Sequence, residues 1–283
     1  MALVLGVSAG ASGARAVLSL PDRPHHEPVA RCAVGRGPGM SIGEPAVSAI
    51  RTLRAEAAER GEAVAATAVT VRSGLEPEIA ADLGSVASRQ HVRVLAETAA
   101  QVRYLRFTGA LPRHAVAVLY DIGRSGLSLC LAEGATGTII TSRRSALVCG
   151  DRLDRLVQET LAAAGVWRDL QHCAEVTRQL TIDRVATVTD PHTGAATVVT
   201  AGDLTRLIRE DLAASTSLLD KMVRECGVAP TTAVLLGGGA QLPGLGTHLQ
   251  ELLGLPVADV ADPAAVAARG AVLLAAAGAP VSR

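Results

Sequence analysis

The chain has 283 residues, 49% of them apolar, enough to bury a core as one large domain or two intimate lobes. Aromatic residues make up only 1%, so Ala, Val and Leu must build that core. A formal net charge of +0 argues against nucleic acid or an acidic membrane surface as the main partner, and Lys221, the one lysine among 27 cationic residues, lies in no glycine loop, which excludes a P-loop.

In chain order, the apolar run Leu3–Val7 predicts a strand that passes through S-A-G-A-S-G at residues 8–13 into a returning strand. Val29–Val34 predicts a third strand. Pro45 then marks a helix start, with Val47, Ile50, Leu53 and Ala57 at helical spacing and Gly61 as the stop. The β-branched run Val64–Val71 predicts a strand, followed by a helix from Glu76, a short strand Val92–Leu95 and a helix Glu97–Phe107. A boundary is expected near Leu111–His114, where Pro112 ends the helix, which divides the chain into lobe I (1–113) and lobe II (114–283). The second half repeats the plan with a hairpin over 115–132, a strand near 136–148, a helix Asp151–Ala164 and another near 168–180. A hairpin turning at Asp190-Pro-His-Thr-Gly194 follows, then one long helix over roughly 203–226. Strand Ala233–Leu236, the turn Gly237–Gly239, a helix from Pro243 and a last helix over 263–277, returning towards lobe I, complete the chain. Strands mixed with crossover helices predict an α/β fold.

The hairpin is used twice. S-A-G-A-S-G-A-R-A-V-L at 8–18 and D-I-G-R-S-G-L-S-L-C-L at 121–131 align Gly10, Ser12 and Gly13 with Gly123, Ser125 and Gly126. Small residues at Gly10, Ala11, Ser12 and Gly13, and again around Arg124 at 123–126, let backbone N–H groups approach a phosphate closely. Taken singly, each is equally a plain hairpin turn. A third element, Gly237, Gly238 and Gly239, opens after a buried strand and before a proline-started helix, a seat for a flat nucleoside or an anion. Three consecutive glycines cost conformational entropy that a plain strand-to-helix turn does not require.

Together with D-P-A-A-V-A-A-R-G-A at 262–271, these motifs resemble the ATPase domain of the Hsp70 chaperones, in the actin/hexokinase superfamily. The family order is phosphate loop 1, connecting helix, phosphate loop 2, adenosine loop and second connecting helix, and all five occur here in that order. A-V-T-V-R-S-G-L (68–75) resembles the family's V-I-T-V-P-A strand, V-L-A-E-T-A-A-Q-V-R-Y-L (94–105) its first connecting helix, and C-A-E-V-T-R-Q-L-T (173–181) its C-E-R-A-K-R-T-L-S. The resemblance implies a two-lobed actin-like (ribonuclease H-like) fold, ATP or ADP as ligand, Mg²⁺ as a possible companion beside Asp121, and Arg178 stacked on adenine. It places Glu97 at the connecting-helix glutamate, although an acid in a first helical turn is also a plain dipole-stabilising residue. Arg124 is placed to pair a phosphate or else to be solvated.

The departures are as informative. Ser8 stands where the family has a metal-organising aspartate, and no lysine precedes residue 110 to match the catalytic one. Each loss removes an electrostatic contribution worth roughly 10²–10³-fold in rate, so any ATPase should be slow. The spacing leaves little room for the family's outer subdomain on lobe I, and the expectation is of an ATPase domain without the family's substrate-binding domain. Three alternatives stay open. One is a non-enzymatic interaction module on a degenerate ATPase fold. Another is a small-molecule kinase using Asp151 or Asp154, although Asp151 reads better as a helix cap. The last is a dinucleotide-binding Rossmann protein, disfavoured because residues 6–13 give G-x-x-x-G-x-x-G. Five cysteines without a C-x-x-C pair predict idle thiols in a reducing compartment. No basic leader precedes the first apolar run, and the longest uncharged apolar stretch, Gly270–Ala279, is short of the roughly 20 residues a membrane span needs, so a cytoplasmic protein is expected.

Overall fold

The computed structural model describes residues 2–87 and 92–277, and the last residues of the apolar stretch Gly270–Ala279 lie outside them. The chain divides into two compact units, Met1–Arg113 with Ala265–Arg283, and His114–Ala264.

In the first unit, β1 (Ala2–Gly10) turns at residues 11–12 into β2 (Gly13–Ser19), which leads to β3 (Ala30–Gly35). Residues 36–42 connect directly to α1 (Gly43–Glu59), so no outer subdomain is inserted there. The helix starts two residues before Pro45. Its entry is a reciprocal capping box: Glu44 N–H donates to Ser41 Oγ at 3.2 Å and Ser41 N–H donates to Glu44 Oε2 at 2.6 Å. Then come β4 (Ala63–Val71), α2 (Glu76–Ala87), β5 (Val92–Ala96) and α3 (Glu97–Thr108). The sheet order is β3-β2-β1-β4-β5, with β1–β2 and β2–β3 antiparallel and β1–β4 and β4–β5 parallel. Alternation along β1 splits its side chains between two cores. Leu3, Leu5 and Val7 pack with Ile50 and Leu53 of α1, whereas Val4 packs with Ala268, Ala271 and Val272 from the chain's last helix.

The second unit repeats this plan. β6 (Val116–Ile122), β7 (Leu127–Glu133) and β8 (Ile139–Ser145) form an antiparallel meander, followed by α4 (Gly150–Ala163) and α5 (Leu170–Leu180). β9 (Val185–Thr189) and β10 (Ala196–Thr200) make the separate hairpin expected around Asp190. The expected single helix over 203–226 is two, α6 (Ala201–Leu207) and α7 (Arg209–Cys226), joined at Ile208. The break lies at neither a proline nor a glycine. Buried Ile208 sits at the junction, with Ile208 N–H donating to Leu204 C=O and Leu212 N–H donating to Ile208 C=O, so helical periodicity on both sides conceals the division. β11 (Thr232–Leu236), a 3₁₀ turn (Gly238–Gln241), α8 (Leu245–Leu253) and β12 (Val257–Ala258) follow, and α9 (Val266–Ala276) belongs to the first unit. The second sheet runs β8-β7-β6-β11-β12, the same succession of three antiparallel and two parallel strands as the first. The sequence repeat at the two glycine turns is thus the visible part of a duplicated topology.

Among the described residues no helix is long and apolar enough to cross a membrane. The described cysteines are all free thiols, and burial pushes Cys130 up to about 12 and Cys173 up to about 11. Both are therefore protonated and poorly nucleophilic near neutral pH.

Candidate functional site

In the second unit, three sequence-predicted elements meet at the end of β6. Asp121, half-buried, is the penultimate residue of that strand and lies opposite Ser128 of β7 on one side and Leu236 of β11 on the other. The loop after β11 is pressed against it. A Cβ at Gly237 would lie 2.4 Å from Asp121 Oδ1, and φ there is +83°, so only glycine serves. A Cβ at Gly239 would lie 2.3 Å from Ile122 Cγ2. Two of the three glycines are thus required by packing against the β6 terminus, a structural demand that the entropy argument from sequence did not include. At Gly238 nothing among the described residues lies within 4 Å of the Cβ position, and this residue is exposed. A cavity of about 410 Å³ adjoins the loop, lined by Gln241, Pro243, Gln250 and Asp259 among others.

The turn Gly123–Gly126 is closed by Gly123 N–H donating to Gly126 C=O at 3.0 Å. It is tied to α4 by Gly150 N–H donating to Gly123 C=O at 3.0 Å and Asp151 N–H donating to Arg124 C=O at 2.8 Å. Arg124 is not merely solvated: Nε lies 3.1 Å from Asp151 Oδ1 and Nη2 lies 3.5 Å from Asp154 Oδ2. The expected capping role of Asp151 is not observed. Cys149 is the cap, without a side-chain hydrogen bond, and Asp151 lies in the first turn with its carboxylate on Arg124. Asp154 is buried, and burial pushes its carboxyl above the ordinary range, against the opposing pull of a Thr177 hydrogen bond and of Arg124 and Arg178. Arg178, exposed on α5, is thereby located on the α4–α5 pair near Asp154.

Arg144 of β8 was not singled out from the sequence. Its Nη2 donates to Ser125 Oγ at 3.0 Å and its Nη1 to Ser128 Oγ at 3.3 Å. A Cβ at Gly126 would meet Arg144 Nη2 at 2.8 Å, so that glycine makes room for the guanidinium. Nothing in the local motif announces this, because Arg144 reaches the turn through strand pairing from 16 or more residues away.

The first unit brings together Ser8 and Glu97. Ser8 Oγ donates to Glu97 Oε1 at 3.1 Å, from the end of β1 to the first turn of α3. Gly10 pairs with Gly13 to close the hairpin. Gly13 has φ +126°, and a Cβ on it would lie 2.0 Å from Val34 C=O, so β3 demands that glycine. At Gly10 nothing among the described residues lies within 4 Å of the Cβ position. Ala11 and Ser12 form the hairpin tip, with Ser12 C=O accepting from Arg36 N–H at 3.0 Å.

No protein-family model matches the sequence, and no curated protein matches it. Solved structures do. The ethanolamine utilization protein EutJ from Carboxydothermus hydrogenoformans superposes with a TM-score of 0.69 at 17% identity, over 96% of this chain and 90% of that one. MreB5 of Spiroplasma citri, solved bound to ADP, gives 0.66 at 13% identity over 95% of both chains. The activator of the 2-hydroxyisocaproyl-CoA dehydratase from Clostridium difficile, solved with bound ADPNP, gives 0.59 at 15% identity over 97% of this chain and 94% of that one. The chain therefore has the actin-like ATPase fold, as expected from its sequence. The likeness is one of fold and does not single out the Hsp70 type.

Proposed function

We propose that this protein binds ATP or ADP and hydrolyses it slowly or not at all, as an Hsp70-related nucleotide-binding or regulatory protein. The observation that carries the reading is the convergence, within the second unit, of Asp121, the turn Gly123–Gly126 and the loop Gly237–Gly239 at the end of one strand. Such a terminus offers backbone N–H groups for phosphates, a carboxylate and an open glycine face for a nucleoside. Two structural neighbours hold ADP and ADPNP, which adds weight to a nucleotide as the ligand. Arg178 and Gly238 are assigned to the adenosine, and Gly10–Gly13 to further phosphate contacts. The Hsp70 type rests on the order of the five motifs.

Among the described residues no three His, Cys, Asp or Glu side chains cluster to hold a metal ion. Mg²⁺ commonly takes one or two carboxylates and fills the rest of its octahedron with phosphate oxygens and water. Asp121 fits that mode as one carboxylate ligand, with the metal carried in by the nucleotide. Slow turnover is expected because residue 8 carries a hydroxyl, here bonded to Glu97, in place of a second metal-organising carboxylate.

A second reading, an interaction module that has lost its nucleotide, draws on the same hydrogen bond and on the carboxylates that hold Arg124. Isothermal titration with ADP and ATP, with and without Mg²⁺, separates the two. The proposal expects binding to the wild type, and Asp121→Ala is expected to weaken the Mg²⁺-dependent part by about tenfold, the scale of one charge-assisted contact. No heat from either nucleotide in either buffer leaves only the interaction module.

A further inference from the structure

Among the described residues three charged side chains are buried, Asp154, Asp190 and Arg269. Two of them are compensated. Arg124 Nη2 approaches Asp154 Oδ2 at 3.5 Å. The Asp190 carboxylate accepts the backbone N–H groups of Trp167, His192 and Thr193 at 2.9, 2.8 and 2.9 Å. Arg269, on α9 in the first unit and only 8% exposed, has no such compensation. Its Nη1 donates to His26 C=O at 2.9 Å, its Nε is sealed from solvent without an acceptor, and no carboxylate pairs with it among the described residues. A full positive charge with five N–H donors thus meets one backbone carbonyl. An unpaired buried charge is costly, and the remedy that proteins use is an opposite charge.

The backbone that carries this arginine is fixed on both sides. A Cβ at Gly6 would lie 2.1 Å from Ala268 C=O, and a Cβ at Gly270 would lie 2.0 Å from Ala100 C=O, so α9 is pressed onto β1 and α3 next to Arg269. Its acceptor, His26, lies in the loop 20–29 between β2 and β3, at the end of β2 away from the turn Gly10–Gly13. The carboxylates of that loop serve other partners, Asp22 at 3.5 Å from Arg23 and Glu27 at 3.6 Å from Arg31. His25 and His26 are exposed, their ring centres 4.4 Å apart, and the His25 ring lies 5.3 Å from that of Phe107 in the last turn of α3. We infer that Arg269 and this loop form an oxyanion site, for a phosphate or a carboxylate, whose ligand supplies the counter-charge that no described residue provides. A guanidinium suits both ligands because its planar fork meets two oxygens at once and its charge persists at any working pH. The site is separate from the glycine turn of its unit and does not rest on the nucleotide reading.

The test follows the imidazole resonances of His25 and His26 in the full chain during titration with sodium phosphate or sodium acetate, against sodium chloride at the same pH and ionic strength. Phosphate is expected to shift both resonances saturably, and chloride is not. A like response to acetate admits carboxylates to the site, whereas a response to phosphate alone confines it to phosphate. Arg269→Gln keeps a donor for the His26 carbonyl and removes the charge, so it should weaken the phosphate response by roughly ten- to hundredfold, the range for a hydrogen bond to a charged group. Urea unfolding gives a second readout. Without phosphate, Arg269→Gln should be at least as stable as the wild type, because an unpaired buried charge is gone. With phosphate, the wild type should overtake it, since a ligand of the folded state stabilises that state. The glycine turns are the same in both proteins, so phosphate bound there cancels in the comparison. Wild-type resonances that respond alike to phosphate, acetate and chloride overturn the inference, whether or not the variant folds. An Arg269→Gln protein with the wild-type phosphate response overturns it as well. So does a variant less stable than wild type by the same amount in both buffers, which would show that Arg269 only clamps the loop to α9.

Discussion

The two glycine turns share a topology and a sequence pattern, yet their surroundings differ in chemistry. In the second unit the row across the sheet reads Asp121, Ser128 and Arg144, and the turn is further braced by Arg124 on Asp151 and Asp154. In the first unit the matching row reads Ser8, Arg15 and Ala33, and the Ser8 hydroxyl donates to Glu97. The glycines differ as well. Gly13 is forced by the backbone of β3, whereas Gly126 is bare for the sake of an arginine side chain. The two copies therefore share a backbone path, while the second carries a carboxylate where the first carries a hydroxyl. Backbone geometry is held by packing of the whole sheet, but the charge on a turn is set by single positions and can be lost at little structural cost.

The largest expected effect tests this difference between a backbone demand and a side-chain demand. Gly13→Ala combines a left-handed φ with a Cβ at 2.0 Å from a carbonyl oxygen that belongs to a paired strand. It should destabilise the protein by about 3 kcal/mol or more in urea unfolding. Gly126→Ala has no positive φ, and its first clash is with the end of a flexible side chain, although Ser145 C=O at 2.9 Å must also give way. A cost of about 1 kcal/mol is expected. Comparable losses for the two variants would break the comparison.

Ser8→Asp makes the first row resemble the second. A carboxylate at 8 would face Glu97, whose Oε1 now accepts the serine hydroxyl at 3.1 Å. Two carboxylates at that range cannot both ionise without a cation or a shared proton. The variant should therefore unfold at a lower temperature than wild type in EDTA, by several degrees for a loss of about 1 kcal/mol. Millimolar Mg²⁺ should restore most of the deficit in the variant and have no such effect on the wild type. A melting temperature that ignores Mg²⁺ in both proteins would separate Ser8 from any metal-organising role.

Much of this was legible in the sequence because strands and glycine turns are local. The α/β class, the two hairpins and the Asp190 turn follow from apolar runs and breaker residues, and the actin-like fold from the order of the motifs. What stayed hidden depends on pairing across long separations. Arg144 carries no motif of its own, and its place on the turn comes from β7–β8 register. The Ser8–Glu97 bond joins residues 89 positions apart. The division at Ile208 falls within a pattern that is helical on both sides. Gly237 and Gly239 were visible as glycines, but the β6 terminus that requires them was not.

The smallest effect concerns the Arg124 brace of the second unit. Burial raises the Asp154 carboxyl, while Thr177 and Arg124 pull it back. A carboxyl whose folded pKa exceeds its unfolded value binds protons more tightly when folded, so protonation favours the folded state as pH falls. That gain begins as pH drops through the folded pKa and is complete below the ordinary value of 3.8. Removing the cation in Arg124→Ala takes away one of the pulls on the carboxylate, so the pKa should rise further and the acid-side gain should begin at higher pH. Asp154→Asn should erase this pH dependence, and comparison of urea midpoints between pH 4 and 7 for the three proteins measures it. If Arg124→Ala left the profile of the wild type unchanged, the 3.5 Å approach of Arg124 Nη2 to Asp154 would contribute nothing in solution. The contribution of Arg124 to bracing the second turn would then rest on Asp151, 3.1 Å from its Nε.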